Sequence, residues 1–285
     1  MDIVEIYNRF PKEQDCLKYL EKVRWKGKPA CPYCGSTNCT PMSKENRHHC
    51  NTCNTSYSVT VRTIFHKTKL PLQKWFLALC LILNVKKGIS ARQFARDIKV
   101  NKDTAWYMGM RIRRAMLDQR DLLLGIVEMD ETYIGGKPRK GGGPNKRGRG
   151  TKKKPVVGMA EHGGKIKAKP VKNVKGRTLC SLVRENVDTD RAVLMTDEFT
   201  GYSRMSAIID HRTVDHRTWY VDGNIHTNTI ESFWALLKRG IVGQYHKVSV
   251  KHLPKYIDEF CYRYNNRFDD DLFDSTLIKA VGGNI

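Results

Sequence analysis

Apolar and polar positions alternate with different periods along this chain and divide it into three stretches. Residues 1–67 hold paired cysteines, turn residues and short strand-like runs. Residues 68–120 read as helical throughout. Residues 121–285 alternate apolar strands with helices, the pattern of an α/β domain. No internal repeat is visible.

Within the helical stretch, the run Leu72 to Val85 reads as a supporting helix. Ala91, Phe94, Ala95 and Ile98 follow at helical spacing, with Ser90 placed to cap their helix. Val100 to Asp103 reads as a short turn, and Ala105, Met108, Ile112, Ala115 and Met116 mark a second amphipathic helix. Two short helices about a tight turn have the form of a helix-turn-helix. The outward face of the second carries Lys102, Trp106, Tyr107, Arg111 and Arg114, which are candidate DNA contacts. The alternative is an ordinary helical linker bundle.

In the last stretch, Ile126 to Ile134 alternates as a strand does, with Val127 and Met129 on one face and Glu128 and Asp130 on the other. A carboxylate inside such a strand is costly unless a cation compensates it. Ala192 to Thr196 is a second apolar strand, and it runs into Asp197. Ile230, Phe233, Trp234 and Leu237 mark the buried face of a helix. Glu231, Ala235 and Lys238 share a neighbouring face, so Lys238 points the way Glu231 does. Trp234 reads as packing rather than as a base-stacking ring. Three acids on two strands and a helix suit a two-metal phosphoryl-transfer site, and oxygen-only ligands favour Mg²⁺ or Mn²⁺. Acids at strand ends also cap helices and pair with arginine, of which this chain has many. Tyr245 to Lys247 and the helix through Leu253, Ile257, Phe260, Cys261 and Tyr264 read as a cover for the far side; its Arg263 and Arg267 either contact DNA or solvate the helix.

Charge narrows the partner. Lys and Arg number 51 against 29 Asp and Glu, a formal charge of +22. A balance of this sign points to a polyanion, with nucleic acid the usual one. The longest apolar run, Phe76 to Leu83, is too short to span a bilayer, and Met1 to Trp25 has no signal-peptide core. The reading is therefore a cytoplasmic protein, nucleoid-associated if it is bacterial, that acts away from membranes. Lys137 to Lys154 carries nine Lys or Arg and a Gly-Gly-Gly run. Lys146, Arg147 and Arg149 at its centre either follow a phosphate backbone or belong to a solvated loop.

In a reducing compartment, nine cysteines are better explained by metal than by disulfides. Cys31-Pro-Tyr-Cys34 and Cys50-Asn-Thr-Cys53, with 15 residues between the pairs, have zinc-site spacing. Four thiolates leave no open position, so one structural zinc per chain is expected. Cys39, His48 and His49 are possible substitutes for one ligand. Cys16, Cys80, Cys180 and Cys261 lie in apolar patterns and read as core.

The run Val127 to Gly136, the motif Thr196-Asp197-Glu198 and the run His226 to Gly240 resemble, in order, the three acidic motifs of the IS1595 family (ISXO2-like) of bacterial DDE transposases. Trp25 with Cys31 to Gly35 is similar to the zinc ribbon of that family. The resemblance covers nearly the whole chain. It implies an RNase H-like catalytic domain over residues 121–285, preceded by a zinc ribbon in 1–67 and a helix-turn-helix-like domain in 68–120. It implies the catalytic acids Asp130, Asp197 and Glu231, two Mg²⁺ or Mn²⁺ ions, and Lys238 as a basic partner. The 33 residues between Asp197 and Glu231 are in keeping with such enzymes. Some relatives carry Asn or His at the third position, so Asn228 and His226 stand as alternatives to Glu231. Its shared face with Asp130 makes Glu128 a candidate for an auxiliary ligand or for a supporting residue just behind the ligands, while Glu131 points to the other face and reads as structural.

The implied function is that of an insertion-sequence transposase, which binds terminal repeats and target DNA as at least a dimer and carries out cleavage and strand transfer. A DNA-binding regulator derived from a transposase, or an RNase H-like nuclease that cuts without joining, are the competing readings.

Overall fold

The computed structural model describes residues 1–117, 121–136, 151–213 and 228–282. Contacts divide the chain into two units, one of Met1–Leu117 with Phe268–Ile285 and one of Asp118–Arg267.

The first unit opens with two helices, α1 (Ile3–Arg9) and α2 (Glu13–Trp25). The sequence reading expected turns and strands there. The signal for α1 lies in Asp2 and Glu5, which form a reciprocal capping box at 2.9 and 2.6 Å. A small antiparallel sheet follows, of β1 (Cys39–Met42), β2 (Arg47–Cys50) and β3 (Thr55–Tyr57). Then come α3 (Leu72–Asn84), α4 (Ala91–Asp97) and α5 (Lys102–Ala115). Ser90 caps α4 by accepting from Gln93 N at 3.2 Å. Asn101 caps α5 by accepting from Thr104 N at 2.7 Å, so the helix begins at Lys102, inside the expected turn.

Residues 1–67 and 68–117 thus share one unit. The C-terminal helix, Leu272–Gly282, also belongs to it, although the sequence reading assigned this segment to the catalytic stretch. The physical reason is long-range packing. Phe273 lies edge-on to Phe76 at 5.9 Å, Ile64 N donates to Ala280 O at 3.2 Å, and Arg9 pairs with Asp274 at 3.1 Å.

The second unit is built on five strands: β4 (Leu123–Ile134), β5 (Lys154–Glu161), β6 (Ile166–Pro170), β7 (Val187–Thr196) and β8 (Asp210–Thr213). Their order is β6-β5-β4-β7-β8. The pairs β4–β5 and β5–β6 are antiparallel, whereas β4–β7 and β7–β8 are parallel. With α6 (Gly176–Asn186), α7 (Asn228–Gly240) and α8 (Leu253–Asn265), this is the mixed, helix-flanked sheet of the expected RNase H-like α/β fold.

Alternation along the strands feeds two cores. Val127, Met129, Val157 and Leu194 pack with Leu179 and Val183 of α6. Val156, Ala160, Ile166 and Ala168 pack with Ile230, Phe233, Trp234 and Leu237 of α7 and Ile257 and Phe260 of α8. Successive side chains of a strand point to opposite faces, so Glu128 and Asp130 are directed toward α7.

Candidate active site and metal centre

The cysteine quartet is the tightest ligand cluster. The Sγ atoms of Cys31, Cys34, Cys50 and Cys53 all lie within 4.8 Å of one another. Cys31–Cys53 and Cys34–Cys50 are each separated by 3.6 Å. Tetrahedral zinc with bonds of about 2.3 Å needs sulfurs about 3.8 Å apart, so the cage fits that ion. Gly35, at φ +78°, turns the first knuckle in a left-handed conformation that favours glycine. In the second knuckle, hydrogen bonding to the Cys53 backbone lowers the Cys50 thiol, while Cys34 and Cys53, which share hydrogen bonds with it, are raised.

The three substitutes are engaged elsewhere. Cys39 donates to Ser36 O, His48 sits 3.0 Å from Glu21, and His49 sits 3.1 Å from Ser56. Cys16, Cys80 and Cys261 are buried, as expected of core residues, and Cys180 is half-buried.

In the second unit, parallel pairing of β4 and β7 ends at Glu128 opposite Met195. Asp130 and Asp197 each lie two residues beyond that pair, Asp130 within β4 and Asp197 just past the end of β7. Asp130 is half-buried. Its Oδ1 accepts from Glu131 N at 2.7 Å and its Oδ2 from the Trp234 indole N–H at 3.0 Å. Burial raises its pKa to about 7, and the charges of Glu131 and Asp197 add to the rise despite these two donors. Asp197 Oδ1 accepts from Phe199 N at 3.1 Å, which turns the chain after β7.

Glu231 stands in the first turn of α7 and is exposed, as are Ala235 and Lys238 along the same face. The opposite face, Ile230, Phe233, Trp234 and Leu237, is buried as expected. Among the described residues, Asp130, Asp197 and Glu231 do not gather within the 4.8 Å that the cysteines reach. Asn228 is the first residue of α7, and His226 lies outside the described residues.

Two residues near Asp130 escape sequence reasoning. Gly158 on β5 is the register partner of Asp130. A Cβ there would lie 2.6 Å from the Trp234 ring and 2.8 Å from Ile230 Cδ1, so only glycine lets α7 approach the sheet this closely. Trp234 is core, and it also holds Asp130 by its indole, which periodicity cannot reveal. Glu131 points to the α6 side, where Tyr202 donates to it at 2.9 Å. Glu128 is fully buried, accepts from Ile230 N at 2.8 Å, and lies 2.6 Å from His162 Nε2.

On α5, Lys102, Trp106, Tyr107 and Arg114 are exposed. Arg111 is half-buried and donates to His66 O at 2.9 Å, lying over the rings of Trp75 and Tyr107. On α8, Arg263 is buried against Glu259, while Arg267 donates to Tyr264 O and stacks on that ring. Lys146, Arg147 and Arg149 lie outside the described residues. No helix among the described residues is long and apolar enough to cross a membrane.

Comparison with known proteins agrees with this reading. The model of the ISXO2-like transposase domain matches residues 122–265, and that of the transposase zinc-ribbon domain matches residues 11–56. A Halobacterium salinarum protein, described as an uncharacterized protein in transposable element ISH50, is 27% identical over 272 residues. That alignment covers 89% of this chain and 91% of the relative. A pre-cleavage Mos1 transpososome aligns at 13% identity and a TM-score of 0.31, covering 70% of this chain and 73% of its own. The Mos1 strand transfer complex aligns at 14% and 0.30, covering 72% and 74%. Scores this low carry no weight for fold or chemistry. The transposase-domain match spans half the chain and the ribbon match adds its N-terminal part, so this chain belongs to the ISXO2-like, or IS1595, transposase family.

Proposed function

We propose that this protein binds the terminal repeats of an insertion sequence and cuts and joins double-stranded DNA at a DDE site formed by Asp130, Asp197 and Glu231. The observation that carries this reading is the pair Asp130 and Asp197, each two residues beyond the last paired position of two adjacent parallel strands in a transposase-family domain. A carboxyl raised to about 7 by burial and by neighbouring acids is one that a divalent cation would return to its charged form. The donors are all oxygens, which suits Mg²⁺ or Mn²⁺. When bound, two such ions would activate the attacking oxygen and stabilise the leaving oxygen of an in-line displacement.

The chain's own residues prepare that site. Trp234 fixes the rotation of the Asp130 carboxylate through Oδ2. Glu231 would close the ligand set as α7 settles on DNA and ions. Lys238, about two helical turns further on the same face, would hold a phosphate as a point charge. Water attack at the transposon end frees a 3′-OH, which then attacks a target phosphodiester, with no covalent protein intermediate.

Lys102, Trp106, Tyr107 and Arg114 would contact DNA from α5, with Arg111 bracing the helix against the chain at His66. Lys146, Arg147 and Arg149 would follow the phosphate backbone. The charge of +22 fits such a partner. Zinc in the cysteine cage would hold the N-terminal ribbon, and pairing two ends calls for at least two chains.

The test is incubation of the purified chain with DNA carrying the element's ends, Mg²⁺ and a target plasmid. Cleavage at the ends and joining of pre-cut ends are expected. Binding without cleavage would replace this reading with a regulator, and cleavage without joining would replace it with a nuclease.

A further inference from the structure

We infer that Glu128 is a positioning residue, whose buried carboxylate clamps the N-terminus of α7 to β4 and so sets where Glu231 stands relative to Asp130. The inference rests on the proposed DDE reading for its catalytic consequence but not for the clamp itself.

Glu128 has no exposed surface. A carboxylate in such a place is costly unless its charge is met by fixed donors. Two groups meet it from two different elements, a backbone donor and a histidine ring at ion-pair distance. The first is the Ile230 N–H, at 2.8 Å. Ile230 is the third residue of α7, where N–H groups have no partner within the helix and the helix dipole favours an anion. The second is His162, just past the end of β5, with Nε2 at 2.6 Å. One side chain thus ties together β4, the end of β5 and the start of α7.

The position of the clamp gives it its role. On β4 it lies two residues before Asp130, and on α7 it holds the residue immediately before Glu231. A displacement of the helix start would therefore pass directly to Glu231. Glu128 is fully buried, with one oxygen on the Ile230 N–H and the other beside His162, whereas Asp130 is half-buried. The two carboxylates share a face of β4 and divide the work, with Glu128 holding the helix and Asp130 meeting the ion.

Substitutions separate a clamp from a ligand. Glu128→Gln keeps the side-chain length and an oxygen for the Ile230 N–H, and its amide can donate to a neutral His162. Glu128→Asp keeps the charge but withdraws the carboxylate by one carbon–carbon bond, about 1.5 Å. A clamp therefore tolerates Gln better than Asp, while a metal ligand tolerates Asp better than Gln.

The experiment uses the full chain and its Gln, Asp and Ala variants at position 128. Single-turnover cleavage of end DNA at saturating Mg²⁺, DNA affinity, and hydrogen exchange at the Ile230 amide are measured. The expected result is near-native cleavage and exchange for Gln. Asp and Ala should lose about a hundredfold in cleavage, the scale of a 1 Å misplacement, with DNA affinity unchanged. Their Ile230 amide should exchange faster. Better retention of cleavage by Asp than by Gln would overturn the inference, as would an Ile230 amide equally protected in the Asp or Ala variant. If Ala does not fold, Gln against Asp still decides. If the wild-type chain never cleaves, loss of Ile230 protection in Asp with retention in Gln upholds the clamp, and only the DDE reading falls.

Discussion

Replacing Gly158 with alanine is expected to disturb the proposed catalytic site without touching any of its acids. The added Cβ would lie 2.6 Å from Cζ2 and Cη2 of Trp234 and 2.8 Å from Ile230 Cδ1. Carbon atoms pack at about 3.5–4.0 Å, so the overlap is roughly 1 Å and something must move. The Trp234 ring is buried and its indole is bonded to Asp130, so it cannot rotate away without breaking that bond. The lower-cost response is for α7 to lift from the sheet by roughly 1 Å. Overpacking of this kind costs about 1–3 kcal/mol of stability. A shift of that size at Glu231 corresponds to about a hundredfold loss in cleavage rate. Urea unfolding measures the first quantity, and single-turnover cleavage of end DNA measures the second. A Gly158→Ala protein with native stability and cleavage within about twofold of wild type would refute this reasoning.

Other substitutions probe the remaining links. Trp234→Phe keeps most of the ring packing but removes the donor to Asp130; above pH 7, where that carboxyl is ionised, it should cost about 1.5–3 kcal/mol in urea unfolding, the scale of a bond to a charged group. Cys31→Ser with Cys34→Ser should reduce bound zinc from about one ion per chain to none by metal analysis, and make the N-terminal ribbon susceptible to protease. Asp258 on α8 is raised by burial from 3.8 to about 7. Its folded value exceeds its unfolded one, so the stability it contributes is complete below pH 3.8 and is lost as pH rises to about 7. The slope is at most about 1.4 kcal/mol per pH unit, and unfolding curves for Asp258→Asn should lack this component.

Much of this architecture is legible because it is local. The cysteine spacing identifies the ribbon knuckles, and strand alternation separates Glu128 and Asp130 from Met129 and Glu131. Helical spacing marks the buried face of α7 and the shared face of Glu231 and Lys238. What periodicity misses depends on distant partners. The helices α1 and α2 lie in a stretch whose cysteines and turns dominate the reading, and their local signs are the capping box of α1 and the i, i+4 pair Cys16 and Leu20 of α2. The C-terminal helix joins the first unit through Phe76, Ile64 and Arg9, about two hundred residues or more away in sequence. Arg111 reads as a DNA contact and Arg263 as a DNA contact or a solvated charge, yet one bonds a backbone carbonyl and the other a buried Glu259. Gly158 carries no pattern at all, since its meaning is the tryptophan that approaches it from α7. Glu128 and Asp130 look equivalent in the sequence, and only the start of α7 tells them apart.

The central claim is that Asp130 and Asp197 form the heart of a metal-dependent DNA-cleaving site. The most direct measurement is end cleavage by Asp130→Asn and Asp197→Asn across a Mg²⁺ and Mn²⁺ titration, with DNA binding followed in parallel. The account predicts that each variant binds end DNA with native affinity and fails to cleave it at any metal concentration. Cleavage by either variant at the wild-type rate would contradict it.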